Sequence, residues 1–236
     1  MIKPLNIEKI SLKYKVDKEG FMRLSMNALL VEDSDRKVIF DPGAAEFLPL
    51  RIRKEYGLEV PVSLEDTLLG LELVPEEITD VVLTHLHFDH ASGGFKRVPG
   101  NIMKRFSQAR YHVLKEHYRY AINPDPFESD SFSTGLLKYL DRIHWLEDWD
   151  MDGISFRIFN GHTRGMVIPL IHSESRTTYF MSDLVPMEIF LEPSLWCGYD
   201  LEPGLLLKEK QEFLPEISVG STLVYYHDIL RSSVFN

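Results

Sequence analysis

With one cysteine in 236 residues, Cys197, the chain can form no internal disulfide, and its thiol content does not point to an oxidising compartment. Long apolar runs are also missing. From Met1 to Gly20, Lys, Glu and Asp interrupt single apolar residues. This segment has no signal-peptide core and falls short of the ~20 apolar residues that a spanning helix needs. A cytoplasmic location with no membrane partner is the expectation. Positive charge is scarce, with 26 Lys and Arg against 36 Asp and Glu, a net charge of −10. Phosphate backbones are bound by basic patches, so no nucleic-acid partner is expected. There is no repeat of fixed period, low-complexity tract or linker, and one domain over residues 1–236 is expected.

Helix and strand signals alternate throughout the chain. Strands are expected at Ile7–Val16, Phe21–Glu32, Lys37–Phe40, Asp80–Leu83, Arg110–Leu114, Ile154–Phe159, Val167–Ile171, Thr177–Met181 and Thr222–Tyr226. Helical segments are expected at residues 45–56, Leu64–Leu69, after Pro75, at Lys115–Ala121, around Leu136–Leu140 and at Leu205–Leu214. Asn123 to Ser133, rich in Pro, Asp and Ser, reads as loop. Such a mixture belongs to an α/β or α+β fold.

The apolar run Val81-Val82-Leu83 empties into Thr84-His85-Leu86-His87-Phe88-Asp89-His90. Three imidazoles and a carboxylate at a strand end are costly to bury unless each finds a partner, and a cation satisfies many lone pairs at once. Asp41, His162, Asp183 and His227 likewise follow apolar strands. Strand ends on one rim are where a sheet enzyme gathers its site. The set His85, His87, Asp89, His90, His162, Asp183 and His227 supplies five imidazoles, two carboxylates and no thiolate. That chemistry suits Zn²⁺ and other borderline divalent ions. Seven ligands exceed one tetrahedral ion and match two ions sharing a carboxylate, about 3.5–4 Å apart.

The pattern His-x-His-x-Asp-His, with later isolated His, Asp and His, resembles the metallo-β-lactamase-fold hydrolases. The resemblance runs from Asp41 through His85–His90, Gly161-His162-Thr163 and Asp183 to His227. It implies an α+β fold, the αββα sandwich of two mixed sheets face to face with helices outside. It also implies that His85, His87 and His162 hold one ion, that Asp89, His90 and His227 hold a second, and that Asp183 bridges. Asp41 would orient a ligating histidine from outside the ligand set. The implied cofactor is a pair of divalent ions, Zn²⁺ foremost, with Fe, Mn or Co as substitutes.

The implied reaction is hydrolysis of a small ester, lactone or phosphotriester by a metal-bridging hydroxide, with Asp89 as proton shuttle. Lactonase-, esterase- and organophosphate-hydrolase-like members are the most similar branch, through Met181–Pro186 and Trp196–Asp200. Met166 and Pro186 depart from the pattern of quorum-quenching lactonases, so an acyl-homoserine lactonase is not specifically implied. The resemblance also allows, as alternatives for this chain, a mononuclear iron persulfide dioxygenase or a glyoxalase II-like thioesterase and, behind these, a nucleic-acid-processing nuclease.

Phe88 and Phe95 flank the motif and are candidates for a pocket wall. Met187, Phe190, Trp196 and Tyr199 follow Asp183 and are candidates for a lining that receives a small-molecule substrate. The same aromatic loops could instead form a homodimer interface. Cys197 has no paired base and reads as a packing residue. His112, His117, His144 and His172 match no ligand position and are expected on surface or loop.

Overall fold

The computed structural model describes residues 18, 22–33, 35–59 and 63–235. The strand expected over Ile7–Val16 lies outside them, as does Phe21, the expected start of the next strand. The chain forms two compact units, one of residues 28–150 and one of residues 151–236 with the segment up to Asn27.

The first unit is built around three central strands that are mostly buried on both faces, the pattern of a covered parallel sheet. Its strands are β1 (Leu29–Glu32), β2 (Lys37–Phe40), β3 (Asp80–Val82), β4 (Phe95–Val98), β5 (Asn101–Lys104), β6 (Arg110–Val113) and β7 (Ile143–Trp145). β1 and β2 make an antiparallel hairpin. The Asp33 carboxylate accepts the amides of Asp35 and Arg36 at 2.9 and 2.8 Å in the turn, as aspartate does in tight turns. β2, β3, β6 and β7 run parallel, giving the order β1-β2-β3-β6-β7. Val38, Ile39, Phe40, Val81 and Val82 are all buried. Helices α1 (Leu50–Glu55), α2 (Leu64–Leu69), α3 (Phe88–Ala91) and α4 (Lys115–Ala121) connect the strands. Ser63 caps α2 by accepting the Asp66 amide. The core gathers Leu68, Ile78, Leu83, Phe95, Phe106 and Tyr111.

The second unit holds β8 (Ile154–Phe159), β9 (Met166–His172), β10 (Thr177–Phe180), β11 (Thr222–Val224), β12 (Ser232–Val234) and helix α5 (Pro203–Phe213). Its sheet order is β12-β11-β10-β9-β8, with only β10 and β11 parallel. Phe159, Met166, Met181, Leu206, Phe213 and Tyr225 form its core. Both five-stranded sheets are therefore mixed, as the α+β expectation requires. Among the described residues no helix is long and apolar enough to cross a membrane.

Several local expectations are corrected. The helix expected over residues 45–56 is only Leu50–Glu55, Leu136–Leu140 belongs to a 3-10 segment at Thr134–Tyr139, and only Leu29–Glu32 of Phe21–Glu32 is strand. The hairpin β4–β5 and strands β7 and β12 were not expected. Each is three or four residues long and mostly exposed or half-buried, too short for alternation to register. His112 and His117 are not on the surface. Both are buried because each has a polar partner: His112 Nε2 lies 2.7 Å from Asp80 Oδ1, and His117 Nε2 accepts the Leu86 amide at 2.8 Å. His144 is half-buried on β7, whereas His172 is exposed as expected.

Asp80, fully buried at the start of β3, also accepts from Arg36 Nε at 2.9 Å, Arg110 Nε at 3.0 Å and the Thr79 hydroxyl at 2.7 Å. Burial alone would push its carboxyl up, but the bonds from His112, Arg36 and Thr79 outweigh that and hold it well below the usual carboxylate range. The unfolded chain therefore takes up the proton first as pH falls. Asp80→Asn should cost roughly 3–5 kcal/mol at neutral pH. The gap to wild type should narrow below about pH 4, read from urea unfolding across pH.

Candidate metal centre

Strand register sets the positions of the candidate residues. In the first unit Phe40 pairs with Val82, so β2 and β3 end side by side. Asp41 follows β2 directly, with a left-handed φ of 45°, and its amide donates to Val82 O at 3.0 Å. Its carboxylate is saturated from the β3 side. Oδ1 accepts the Thr84 amide at 2.8 Å, and Oδ2 accepts the Thr84 hydroxyl at 2.5 Å and His90 Nδ1 at 2.8 Å. These bonds fix the Thr84 hydroxyl and the His90 ring against Asp41. Asp41 caps no helix, since Pro49 precedes α1. Burial pushes its carboxyl up, against the pull of His90 and Thr84.

These bonds also determine which nitrogen each imidazole presents. The Thr84 hydroxyl gives its proton to Asp41, so its oxygen accepts from His85 Nδ1 at 3.0 Å. His85 and His90 are therefore protonated at Nδ1 and present Nε2 as a lone-pair donor. His87 is reversed. Its Nε2 lies 3.0 Å from Glu128 Oε2, and Glu128 also accepts the Tyr120 hydroxyl, so His87 presents Nδ1. The His85 ring lies 4.6 Å from that of His87 and 4.0 Å from that of His90, and Asp89 Oδ2 lies 3.9 Å from His90 Nε2. Gly93 closes the motif against the Asp41 turn. Its amide donates to Gly43 O at 2.6 Å, and a Cβ there would lie 2.3 Å from Pro42 O.

In the second unit Phe180 pairs with Val224 in parallel register, and Asp183 and His227 each lie three residues further on. Asp183 directs Oδ2 to His162 Nε2 at 3.3 Å and Oδ1 to His227 Nε2 at 3.5 Å. His162 Nδ1 lies 2.9 Å from Asp200 Oδ1, and His227 Nδ1 lies 2.9 Å from the Ser25 carbonyl oxygen. A carbonyl oxygen only accepts, so His227 carries its proton on Nδ1, and the Asp200 carboxylate imposes the same on His162. Two imidazole lone pairs then face one carboxylate, an arrangement that needs positive charge between them. All three side chains are buried. The donor set fits divalent cations, and the outward hydrogen bonds are those that ligating histidines use.

The candidate pocket residues differ in burial. Phe95 is buried in the first unit's core against Tyr111. Met187 is also buried, while Phe190 and Trp196 pack against the second unit's core. Phe88 stacks at 5.1 Å on Tyr56, which is largely exposed. Of the candidate lining residues after Asp183, Tyr199 meets a candidate ligand, its ring edge-on to His162 at 5.8 Å with 45% of its surface exposed. Burial pushes the Cys197 thiol up, away from nucleophilic use. Glu128, Asp200 and Thr84 were not foreseen. The first two are single acidic residues in irregular segments; Trp196–Asp200 carried part of the resemblance, but gave Asp200 no role, and nothing around Glu128 marks it apart from other loop carboxylates.

Imidazoles and carboxylates gathered at strand ends of mixed sheets define a metal-binding α+β protein. Residues 23–209 match the metallo-beta-lactamase superfamily, and the chain belongs to that family. A probable metal-dependent hydrolase from Staphylococcus aureus shares the fold at TM-score 0.86 and 23% identity, over 97% of this chain and 83% of that one. AidC, a dizinc quorum-quenching lactonase, aligns at TM-score 0.74 and 18% identity, over 89% of this chain and 75% of its own. The hydrolase AbOPH aligns at TM-score 0.74 and 21% identity, over 98% and 82%.

Replacing Glu128 or Asp200 by Ala should weaken metal retention about 10–100-fold while leaving the far-UV circular dichroism of the metal-free protein unchanged. Chelator titration followed by elemental analysis measures this.

Proposed function

We propose that this chain is a dinuclear metal-dependent hydrolase of a small, neutral ester, lactone or phosphotriester. The observation that carries the reading is the protonation pattern. His85, His90, His162 and His227 each turn Nδ1–H to an acceptor and His87 turns Nε2–H to one, so each ring keeps its other nitrogen for a cation. In this proposal His85, His87 and His162 would hold one ion and Asp89, His90 and His227 the other. Asp183, which directs a different oxygen to each of its two histidines, would serve both. Nitrogen and oxygen ligands without thiolate favour zinc.

Bound divalent ions supply an acidified water and a Lewis acid for the scissile carbonyl or phosphoryl oxygen. The chain's own residues do the rest. Asp41, Glu128 and Asp200 hold the rings in one tautomer, so little reorganisation accompanies the reaction. The side chain of Asp89 is about a quarter exposed, so it has access to solvent and can take the proton released on attack and return it to the leaving oxygen. The lactonase and hydrolase relatives support the substrate class, and the net charge of −10 favours neutral small molecules over polyanions. The cytoplasmic location expected from the lone cysteine belongs to the same proposal.

Purified protein should carry two equivalents of zinc and hydrolyse at least one member of an ester, lactone and phosphotriester panel, with turnover lost on chelation and regained with metal. Two zincs with no hydrolysis of any panel member would refute the reading, and one iron with oxygen uptake would replace it by a dioxygenase. Asp89→Asn should lower kcat about 10²–10⁴-fold. Full metal content with undiminished kcat in that variant would remove Asp89 from the proton path.

A further inference from the structure

Lys210, on α5, is wholly buried, although lysine is among the side chains least often placed inside a protein. Its ammonium donates to two main-chain carbonyls, Leu195 O at 2.8 Å and Glu192 O at 3.2 Å, and lies 5.8 Å from the Phe190 ring centroid. Burial lowers its pKa to about 8, opposed by Cys197, Asp200 and Glu192, so at neutral pH it is mostly charged. Filling this space needs no charge, since a methionine has similar reach. An ammonium kept at such a position points to a task that an apolar chain cannot perform.

The carbonyls it holds belong to the turn that leads into the His162 support. Within that turn the Leu195 amide donates to Glu192 O at 3.1 Å. Immediately beyond it the Cys197 amide donates to Asp200 Oδ2 at 2.6 Å, and Asp200 Oδ1 meets His162 Nδ1 at 2.9 Å. The preceding residue of α5 grips the other side. Glu209 accepts the amides of Asn160 at 2.7 Å and Gly161 at 2.9 Å. Gly161 lies so close to the helix that a Cβ would come within 2.4 Å of Leu206 Cα. One helix thus binds the loop carrying His162 through a carboxylate, and the loop carrying Asp200 through an ammonium.

We propose that Lys210 is a positioning residue for His162, fixing the 192–195 turn so that Asp200 meets the imidazole at Nδ1. This rests on the reading of His162 as a metal ligand. The test compares full-length wild type with Lys210→Met and Lys210→Gln, the latter a neutral side chain that still donates to a carbonyl. In Lys210→Met the melting temperature of the metal-free protein should not fall. The chelator concentration that releases the first zinc should drop about tenfold. Lys210→Gln should recover part of that loss. In the metal-free proteins the hydrogen-bonded Nδ1–H signal of His162, assigned by its absence in His162→Gln, should broaden in the Met variant.

Wild-type zinc retention and an unchanged His162 signal in both variants would overturn the proposal. So would loss of folded structure in both, which would assign the ammonium to the fold rather than to the site. Failure of the wild type to take up zinc would count against the functional reading instead, and the His162 signal would still decide the role of Lys210.

Discussion

An imidazole has two nitrogens, and giving one a fixed acceptor leaves the other as a directed lone pair. The arrangement in this protein depends on that constraint. The acceptors differ in kind: a hydroxyl already committed to Asp41 for His85, carboxylates for His87, His90 and His162, and a main-chain carbonyl for His227. Only the last is independent of a side chain. The others tie the donor set to residues whose own partners are further out, so each aimed ring is the end of a chain of hydrogen bonds rather than a single contact.

Parallel pairing makes this possible. Neighbouring parallel strands end on the same side, and the residues just beyond them emerge together. Asp41 beside Thr84 in the first unit and Asp183 beside His227 in the second both come from such pairs, β2 with β3 and β10 with β11. The chain must turn abruptly there. Asp41 and Ser182 both take left-handed backbone conformations that side chains other than glycine seldom adopt. Strain of that sort persists where surrounding bonds over-determine it, and the saturated carboxylate of Asp41 supplies them.

What was legible in the sequence follows from the same physics. His85, His87, Asp89 and His90 stood out because so many polar side chains directly after Val81-Val82-Leu83 contradict ordinary packing. Their supports were invisible. Glu128 looks like any acid in a Pro-, Asp- and Ser-rich loop, and Asp200 like any aspartate before a proline-started helix. Their roles come from tertiary contacts 41 and 38 residues away in the chain. His117 misled for the opposite reason. A histidine at helical spacing suggests a solvated face, yet it is buried because the amide of Leu86, inside the motif, needed an acceptor. The apolar residues after Asp183 showed hydrophobicity without direction, which is why Met187 belongs to the interior while Tyr199 meets His162.

The reversed orientation of His87 has a consequence for reach. Nδ1 is separated from Cβ by two bonds and Nε2 by three, so His87 acts as a short arm among long ones, and a cation it holds must lie nearer its backbone. An aspartate oxygen is also two bonds from Cβ. At position 87 an aspartate can therefore span the same distance as the ring it replaces, whereas at 85, 90, 162 and 227 the matching acid is the longer glutamate, whose oxygen is three bonds from Cβ. Either exchange adds a full negative charge, so the length of the arm decides which acid takes the ring's place without redrawing the backbone around it.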